Sequence, residues 1–193
     1  MKLVREIVET LLLAVLIFAM AQATVQSFVV QKHSMDTTLH EGQRLLVNKA
    51  VYWRFEGTLG RVLPLKKDGP WAYIFHLPRR GEIVVFHAPH PPDEVWIKRI
   101  VGLPGEEVTI RDGRVYINGK ALNEPYAHGS ASDLAPVVVP EGHYFVMGDN
   151  RTQSTDSSDW DGVGPIPLRN MIGKAWLSLL PLGRAPNYSY AEG

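Results

Sequence analysis

The fold is decided by an apolar strand and the turn that ends it, Val95-Trp96-Ile97-Lys98-Arg99-Ile100-Val101-Gly102-Leu103-Pro104-Gly105. Alternate residues of a strand lie on the same face, so Trp96, Lys98 and Ile100 share one face while Arg99 points to the other. Lys98 therefore projects among apolar neighbours. Burial penalises the charged ammonium form and lowers a lysine pKa, so a lysine in this setting can act as a general base.

Similar strand-like runs precede and follow this segment, at residues 43–49, 82–86, 108–110, 115–117, 137–139 and 144–147, with a further apolar run at 171–180. Asp112-Gly113 between two of them is typical of a hairpin with a type I′ turn. Glycine and proline interrupt residues 54–80, which predicts an irregular loop. A parallel sheet needs helices that alternate with strands, and the sequence shows no such alternation. We therefore predict a mainly β, antiparallel fold.

The composition excludes several classes of function. The chain has 193 residues, which suits one domain with an appended segment. Its 20 basic and 20 acidic residues cancel, so nothing favours binding to nucleic acid. The absence of cysteine excludes disulfides, thiolate metal sites and a cysteine nucleophile. The seven histidines show no metal-ligand spacing, and we expect neither a metal nor a cofactor.

The N-terminal segment carries a long uncharged stretch, residues 11–30. About 20 residues at roughly 1.5 Å each span the core of a bilayer. Lys2 and Arg5 precede the stretch, which predicts a cytoplasmic N-terminus. A cleavable secretory signal, with Ala19-Met20-Ala21 as its cleavage site, is the alternative. Apolar character resumes at Phe28-Val29-Val30, which favours an uncleaved transmembrane helix.

Ser34 follows this stretch, in the segment His33-Ser34-Met35-Asp36-Thr37-Thr38-Leu39. A serine hydroxyl is a poor nucleophile until a base accepts its proton. His33 is not that base, because neighbours in an extended segment point to opposite faces. A serine and a desolvated lysine need no histidine or aspartate, so Lys98 is the candidate base.

A dense polar turn, residues 148–158, follows the apolar strand at 144–147. Seen alone, it is typical of a solvated loop. We interpret it as a set of hydrogen-bonding groups that position the base.

With these three segments the chain resembles the type I signal peptidases (leader peptidases), the membrane-anchored Ser/Lys proteases that remove signal peptides from exported proteins. The family's Ser-Met-x-Pro-Thr-Leu box corresponds to Ser34–Leu39, and its Lys-Arg box, which ends in Gly-Leu-Pro-Gly-(Asp/Glu), to Lys98–Glu106. The Gly-Asp-Asn-Arg-x-x-Ser-x-Asp-Ser-Arg box corresponds to Gly148–Ser158. The likeness continues through Gly173-Lys174-Ala175 and covers nearly the whole chain except the loop at 54–80.

The resemblance implies a role for each residue of the boxes. Ser34 would be the nucleophile, its backbone N–H a donor to the oxyanion, and Lys98 the general base. Ser154 would hydrogen-bond and orient the lysine amine. Four residues would hold the framework, with Asp149 a candidate partner of Arg99: Asp149, Asn150, Arg151 and Asp156.

The family fold implies two antiparallel sheets and a groove that accepts an extended chain. Small pockets would select Ala-x-Ala before the cut, since alternate residues of an extended chain point the same way. One pocket would be lined by Met35, Leu39 and Trp96. The other would be lined by Phe28, Val30 and Ile97.

The implied organisation is a cytoplasmic tip and transmembrane anchor at residues 1–30, and an extracytoplasmic catalytic domain at 31–193. The chain would cross the cytoplasmic membrane once. Its partners would be the lipid bilayer and the signal peptides of exported pre-proteins. A degenerate relative that binds pre-proteins or assembly partners without cutting them is the alternative.

Three residues depart from the family pattern. Thr37 replaces the proline of the first box, and Ser158 replaces the arginine of the third, which leaves Asp156 without its expected ion-pair partner. Lys32 stands where relatives usually carry serine or glycine. Its ammonium either stabilises the oxyanion and lowers the pKa of Lys98, or turns outward to lipid phosphates.

Overall fold

The structure, a computed structural model, describes residues 2–56, 66–68, 71–73, 75–91 and 93–190, with only the backbone at 54–56, 66–68 and 71–73. Helix α1 spans Lys2–Thr24. The described strands that follow are β1 Val25–Val29, β2 Arg44–Asn48, β3 Arg54–Glu56, β4 Lys66–Asp68, β5 Trp71–Tyr73, β6 Ile83–His87, β7 Val95–Gly102, β8 Glu107–Arg111, β9 Arg114–Ile117, β10 Lys120–Ala121, β11 Leu134–Val138, β12 His143–Met147, β13 Ile166–Pro167, β14 Met171–Leu179 and β15 Leu182–Arg184. Short 3-10 helices lie at Ala50–Tyr52, Arg151–Gln153 and Leu168–Asn170.

Helix α1 buries none of its described residues. In the part of the chain that the structure describes, no helix combines the length and the apolar character needed to cross a membrane. The helix ends at Thr24, short of the residues 1–30 predicted as the anchor, because β1 begins at Val25. Strand β1 pairs with β2 from Val25 opposite Asn48 to Val29 opposite Arg44. β-Branched residues such as Val25 and Val29 favour an extended backbone, which this pairing stabilises.

The described strands form three sheets. The largest has eight strands in the order β1-β2-β14-β6-β7-β12-β13, with β15 paired to β14. A four-stranded sheet has the order β10-β9-β8-β11, and a three-stranded sheet the order β3-β5-β4. The named strands of the described residues pair antiparallel, which confirms a mainly β, antiparallel fold.

The third sheet corrects the prediction of two sheets. It also corrects the predicted irregular loop at 54–80 where residues 54–56, 66–68 and 71–73 are described as strands, while residues 57–65, 69–70 and 74 of that loop lie outside the described residues. Its strands have three residues each. Strands this short show little alternation of apolar and polar residues in the sequence. Their extended backbone is stabilised by pairing with one another, which the local pattern does not indicate.

The core of the described residues consists of three apolar clusters, and β7 contributes to them alternately. Ile100 packs in a cluster with Val84, Phe86 and Val146. Its neighbour Val101 packs on the other face, in a cluster with residues of β8, β9 and β12. This alternation joins the four-stranded sheet to the large sheet. The third cluster gathers around Leu45 and Ile83, beside the segment that carries Ser34.

Turns of the four-stranded sheet follow the sequence pattern. Arg111 pairs with Arg114 at the end of the β8–β9 hairpin. Between them Asp112 has φ +51° and Gly113 has φ +71°. Positive φ at both central residues is what the type I′ turn requires.

Candidate active site

Ser34 and Lys98 meet although 64 positions separate them in the chain. Lys98 lies on β7, and Ser34 lies in the turn between β1 and β2. The Lys98 Nζ is 2.6 Å from the Ser34 Oγ. Both residues are buried, with 5% of Lys98 and 9% of Ser34 exposed. This distance allows direct proton transfer from the hydroxyl to the amine.

The pKa of Lys98 is lowered from 10.5 to about 8, chiefly because burial penalises the ammonium form. The charge of Lys32 lowers this pKa further, while the carboxylates of Asp156 and Asp149 raise it. A lysine with a pKa near 8 is partly neutral around neutral pH. It can therefore accept the Ser34 proton.

Two apolar side chains anchor the turn that carries Ser34. Met35 and Leu39 are fully buried, and both pack in the cluster around Leu45 and Ile83. Backbone hydrogen bonds close the turn, from Leu39 N–H to the Met35 carbonyl (2.8 Å) and from Asp36 N–H to the His33 carbonyl (3.1 Å). The serine therefore sits on a backbone held by the core.

Arg99 and Asp149 form a buried ion pair one residue beyond the lysine. The guanidinium donates to both carboxylate oxygens, over 2.9 and 2.7 Å. It also donates to the Gly81 carbonyl over 2.7 Å and to the Pro186 carbonyl over 3.2 Å, and lies 4.1 Å from the centre of the Tyr126 ring. The predicted alternation is thus observed, although Arg99 faces a polar interior rather than solvent. The pair ties β7 to the polar turn after β12.

Asn150 ties that polar turn to the serine. Its N–H donates to the Ser34 carbonyl over 3.0 Å, and its Nδ2 donates to the His33 carbonyl over 3.1 Å. Gly148 approaches the same Ser34 carbonyl so closely that an added Cβ would lie within 3 Å of it. The polar turn therefore contacts the nucleophile segment directly.

Asp156 organises the rest of the polar turn. Its Oδ2 accepts a hydrogen bond from Gly148 N–H over 2.8 Å and another from the Ser154 hydroxyl. Ser154 also accepts from Gly148 N–H over 3.2 Å. Among the described residues, no hydrogen bond joins Ser154 to the Lys98 amine. Ser154 thus acts on Asp156, whose charge faces Lys98, instead of holding the amine as expected.

Arg151 links the polar turn to Glu124. Its Nε donates to the Gly148 carbonyl over 3.0 Å, and its guanidinium pairs with both carboxylate oxygens of Glu124, at 3.1 and 2.5 Å. Sequence reasoning did not identify Glu124 or Tyr126. Neither lies in a box, and their contacts with Arg151 and Arg99 cross long sequence separations.

Most of the predicted pocket residues contribute to two apolar clusters of the core. Val30, Met35, Leu39 and Ile97 belong together in the cluster around Leu45 and Ile83. Trp96 instead packs against the cluster of Phe86, whose ring centre is 6.4 Å from its own, and its Nε1 donates to Glu94 over 2.8 Å. Phe28 is half-buried on β1. Trp96 nevertheless lies near the base, with its ring centre 5.8 Å from Lys98 Nζ. The two substrate pockets stay a prediction.

The side chain of Lys32 turns outward. It is 78% exposed, and its Nζ lies 3.9 Å from Glu94 Oε2. Its backbone has φ +66°. The ammonium nevertheless lowers the pKa of Lys98 by repulsion. The side chain thus faces solvent while its charge still acts on the base. Its predicted contact with the oxyanion and its predicted contact with lipid phosphates stay predictions.

Comparison with known proteins identifies the family of the chain. The family described as signal peptidase, peptidase S26, matches residues 3–180. The chain is 34% identical to a signal peptidase I of Bacillus licheniformis over 188 residues, which cover 91% of this chain and 88% of that protein. It is 35% identical to signal peptidase I T of Bacillus subtilis over 167 residues, which cover 81% and 74%. A solved signal peptidase I from Enterococcus faecalis is 33% identical and superposes with a TM-score of 0.45, over 51% of this chain and 97% of that one. The chain therefore belongs to the signal peptidase family, peptidase S26, and is a serine peptidase.

Proposed function

We propose that this chain removes N-terminal signal peptides from exported pre-proteins by a Ser34–Lys98 mechanism. The observation that carries the proposal is the 2.6 Å approach of a buried lysine amine to a buried serine hydroxyl. The names of the relatives supply the reaction class, since they are signal peptidases I.

The reaction begins when Ser34 Oγ attacks the scissile carbonyl carbon and its proton passes to the neutral Lys98 amine. The resulting oxyanion accepts a hydrogen bond from the Ser34 N–H. The tetrahedral intermediate collapses as the C–N bond breaks, and Lys98 returns the proton to the leaving amine of the mature protein. The signal peptide is then held as an ester on Ser34. Lys98 next accepts a proton from water as the water oxygen attacks the ester carbonyl carbon. The second tetrahedral intermediate collapses as the C–O bond to Ser34 breaks, and Lys98 returns the proton to Ser34 Oγ. This step releases the signal peptide as a carboxylic acid, which ionises, and restores the free serine and the neutral lysine.

The substrate would be an extended segment with small residues before the cut, as in Ala-x-Ala. Strand β6 pairs with residues 95–99 of β7. Strand β12 pairs with β7 only from Arg99 to Gly102, so no described strand covers residues 95–98 on that side. An open strand edge beside the nucleophile supports binding of an extended chain by backbone hydrogen bonds. The preference for small substrate side chains comes from the family resemblance.

The same proposal anchors the chain to the cytoplasmic membrane through residues 1–30, with the N-terminus in the cytoplasm and the domain of residues 31–193 outside. The described residues of helix α1 by themselves fall short of a membrane-spanning helix, so this orientation needs a direct test. The apolar side chains of α1 are exposed, with Leu12 at 65% and Phe18 at 65%, which supports contact with lipid. Protease added to intact spheroplasts should degrade the domain, and protease added to the outside of inverted vesicles should leave it intact. The reverse pattern would contradict this orientation.

Cleavage of a purified pre-protein tests the function. The full chain in detergent should convert a pre-protein with an Ala-x-Ala site into mature protein, with the new N-terminus read by mass spectrometry. Ser34→Ala and Lys98→Ala should each lower the rate by on the order of a thousandfold or more, because nucleophile and base act as a unit. The matched controls Ser189→Ala and Lys120→Ala alter exposed residues outside the site and should cleave normally. A wild-type chain that binds the pre-protein without cutting it would favour the non-cleaving alternative.

A further inference from the structure

The chain continues past β15 into a segment that contacts β6, β14 and Arg99 of β7. We call residues 185–190 the C-terminal strap. The strap lies beyond the residues matched by the family, 3–180. It begins where Ala185 N–H donates to the Trp176 carbonyl over 2.9 Å, and the Ala185 side chain is buried.

Asn187 of the strap fills a gap in the large sheet. Strands β6 and β14 pair at Val85 opposite Gly173 and at Val84 opposite Lys174. The next pair would be Ile83 with Ala175. The Asn187 side chain takes both places instead, because Ile83 N–H donates to its Oδ1 over 2.7 Å and its Nδ2 donates to the Ala175 carbonyl over 2.8 Å. One amide thus satisfies two backbone groups that the diverging strands leave unpaired.

Two further contacts connect the strap to Arg99. The Pro186 carbonyl accepts from the Arg99 guanidinium over 3.2 Å. The Gly81 carbonyl accepts both from that guanidinium, over 2.7 Å, and from Tyr188 N–H, over 3.0 Å. Gly81 has φ +87°, and an added Cβ there would lie within 3 Å of the Tyr188 backbone. The close packing of the strap therefore depends on glycine at this position.

These contacts hold residues that set the pairing register of β6 and β7 next to Lys98. Ile83 lies opposite Arg99, and Val84 lies opposite Lys98. The strap holds Ile83 through Asn187 and holds Arg99 through Pro186. Ile83 and Arg99 form the strand pair next to Val84 and Lys98, and that neighbouring pair sets the direction of the Lys98 side chain.

From this geometry we infer that Asn187 is a positioning residue for the proteolytic reaction, which acts by holding β6 and β7 in the register that presents Lys98 to Ser34. The inference rests on the proposed function of that pair. Asn187 does not touch the reacting atoms. Its effect passes through two backbone contacts and the strand pairing.

Loosening this register should let water reach the Lys98 amine. The charged groups that act on Lys98 are Asp156 and Asp149 of the polar turn and Lys32 before the serine, and none of them belongs to the strap. Asn187→Ala changes none of these charges, so a change in the Lys98 titration reports hydration and geometry. Easier hydration favours the ammonium form and raises the pKa.

The test compares Asn187→Ala with Asn170→Ala in the full chain. Asn170 is a matched control, because its Nδ2 also donates to a carbonyl of β6, that of His87 at the opposite end of the strand, over 3.2 Å. We expect Asn187→Ala to lower kcat about tenfold with KM changed less than about twofold, since misplacement of the base affects chemistry more than binding. The Lys98 pKa, followed by NMR with labelled lysine and assigned with Lys98→Ala, should rise by on the order of one pH unit. Asn170→Ala should change neither quantity.

Loss of thermal stability in Asn187→Ala with kcat and the Lys98 titration unchanged would overturn the inference and leave the strap a purely structural role. If Asn187→Ala does not fold, Asn187→Ser replaces it, because it shortens the side chain without adding a charge near Lys98. The NMR titration needs no substrate. A wild-type chain without cleavage activity would therefore refute the proposed function, while the titration would still decide whether Asn187 positions Lys98.

Discussion

The hydroxyl of Ser158 donates to Oδ1 of Asp156 over 2.8 Å, and the Ser158 N–H donates to the same oxygen over 3.0 Å. Gly148 N–H and the Ser154 hydroxyl bind the other carboxylate oxygen. Asp156 is only 2% exposed. The serine that replaces the arginine of the family box thus satisfies the carboxylate by hydrogen bonds where relatives would use a cation.

Ser158→Ala should therefore destabilise the fold. It removes one hydrogen bond to a buried carboxylate, which costs about 1–3 kcal/mol. Urea unfolding followed by tryptophan fluorescence measures the loss. Ser189→Ala, an exposed serine in the C-terminal strap, is the control and should change the free energy of unfolding little. Equal stability of the two variants would show that the Ser158 hydroxyl contributes nothing.

Lys98 should make stability depend on pH. Its folded pKa of about 8 lies below the ordinary 10.5. The unfolded chain therefore binds more protons between these values, and stability rises with pH across this window. Below pH 8 the full penalty applies, on the order of 3 kcal/mol. Lys98→Met should be more stable than wild type at pH 7, and the difference should shrink between pH 8 and 10.5. A difference that stays constant with pH would contradict the lowered pKa.

Lys32→Ala should move the acidic limb of the pH–rate profile upward from its expected midpoint near the Lys98 pKa of about 8, because a repelling charge is removed. The side chain is largely exposed, so the shift should be larger at low salt than at high salt. Lys32→Gly should show the same shift and gain about 1 kcal/mol of stability, because glycine adopts the φ of +66° without strain. An unmoved limb in both variants would exclude an effect of Lys32 on the base.

Asp149→Ala should lower the free energy of unfolding by about 3–5 kcal/mol, because it leaves the Arg99 guanidinium buried without its counter-ion. Chemical denaturation measures the loss. Glu94→Gln is the comparison, since Glu94 Oε2 lies 3.9 Å from Lys32 Nζ within the same domain, where the two side chains are 47% and 78% exposed. That exposed pair should contribute about 0.5 kcal/mol or less. Similar costs for the two variants would show that burial does not decide the strength of the Arg99–Asp149 pair.

Gly148→Ala should lower kcat about a hundredfold with a smaller effect on folding. The added Cβ would lie within 3 Å of both the Ser34 carbonyl and the Ser154 hydroxyl, so the nucleophile segment must move. Gly183→Ala is the control, because a Cβ added there would meet nothing within 4 Å. Normal turnover by Gly148→Ala would mean that the position of Ser34 is less constrained than its contacts indicate.

Much of the fold is predictable from local pattern. The alternation of β7 places Ile100 and Val101 in different clusters, and the Asp112-Gly113 pair marks its hairpin, because strand periodicity and turn conformation are local properties. The end of α1 and the third sheet were not predictable in the same way. Both depend on strand pairing, which is decided by partners distant in the chain.

For the candidate site as well, some features follow from the local sequence and others only from the tertiary structure. The sequence by itself determined which chemical groups are available, a serine after an apolar run and a lysine among apolar neighbours, because side-chain type and strand alternation are written in adjacent residues. Only the tertiary structure decided that the hydroxyls of Ser154 and Ser158 donate hydrogen bonds to Asp156. It also decided that the Asn187 side chain bridges β6 and β14. These hydrogen bonds depend on distances of a few tenths of an ångström, and those distances are set by how strands far apart in the chain pack together.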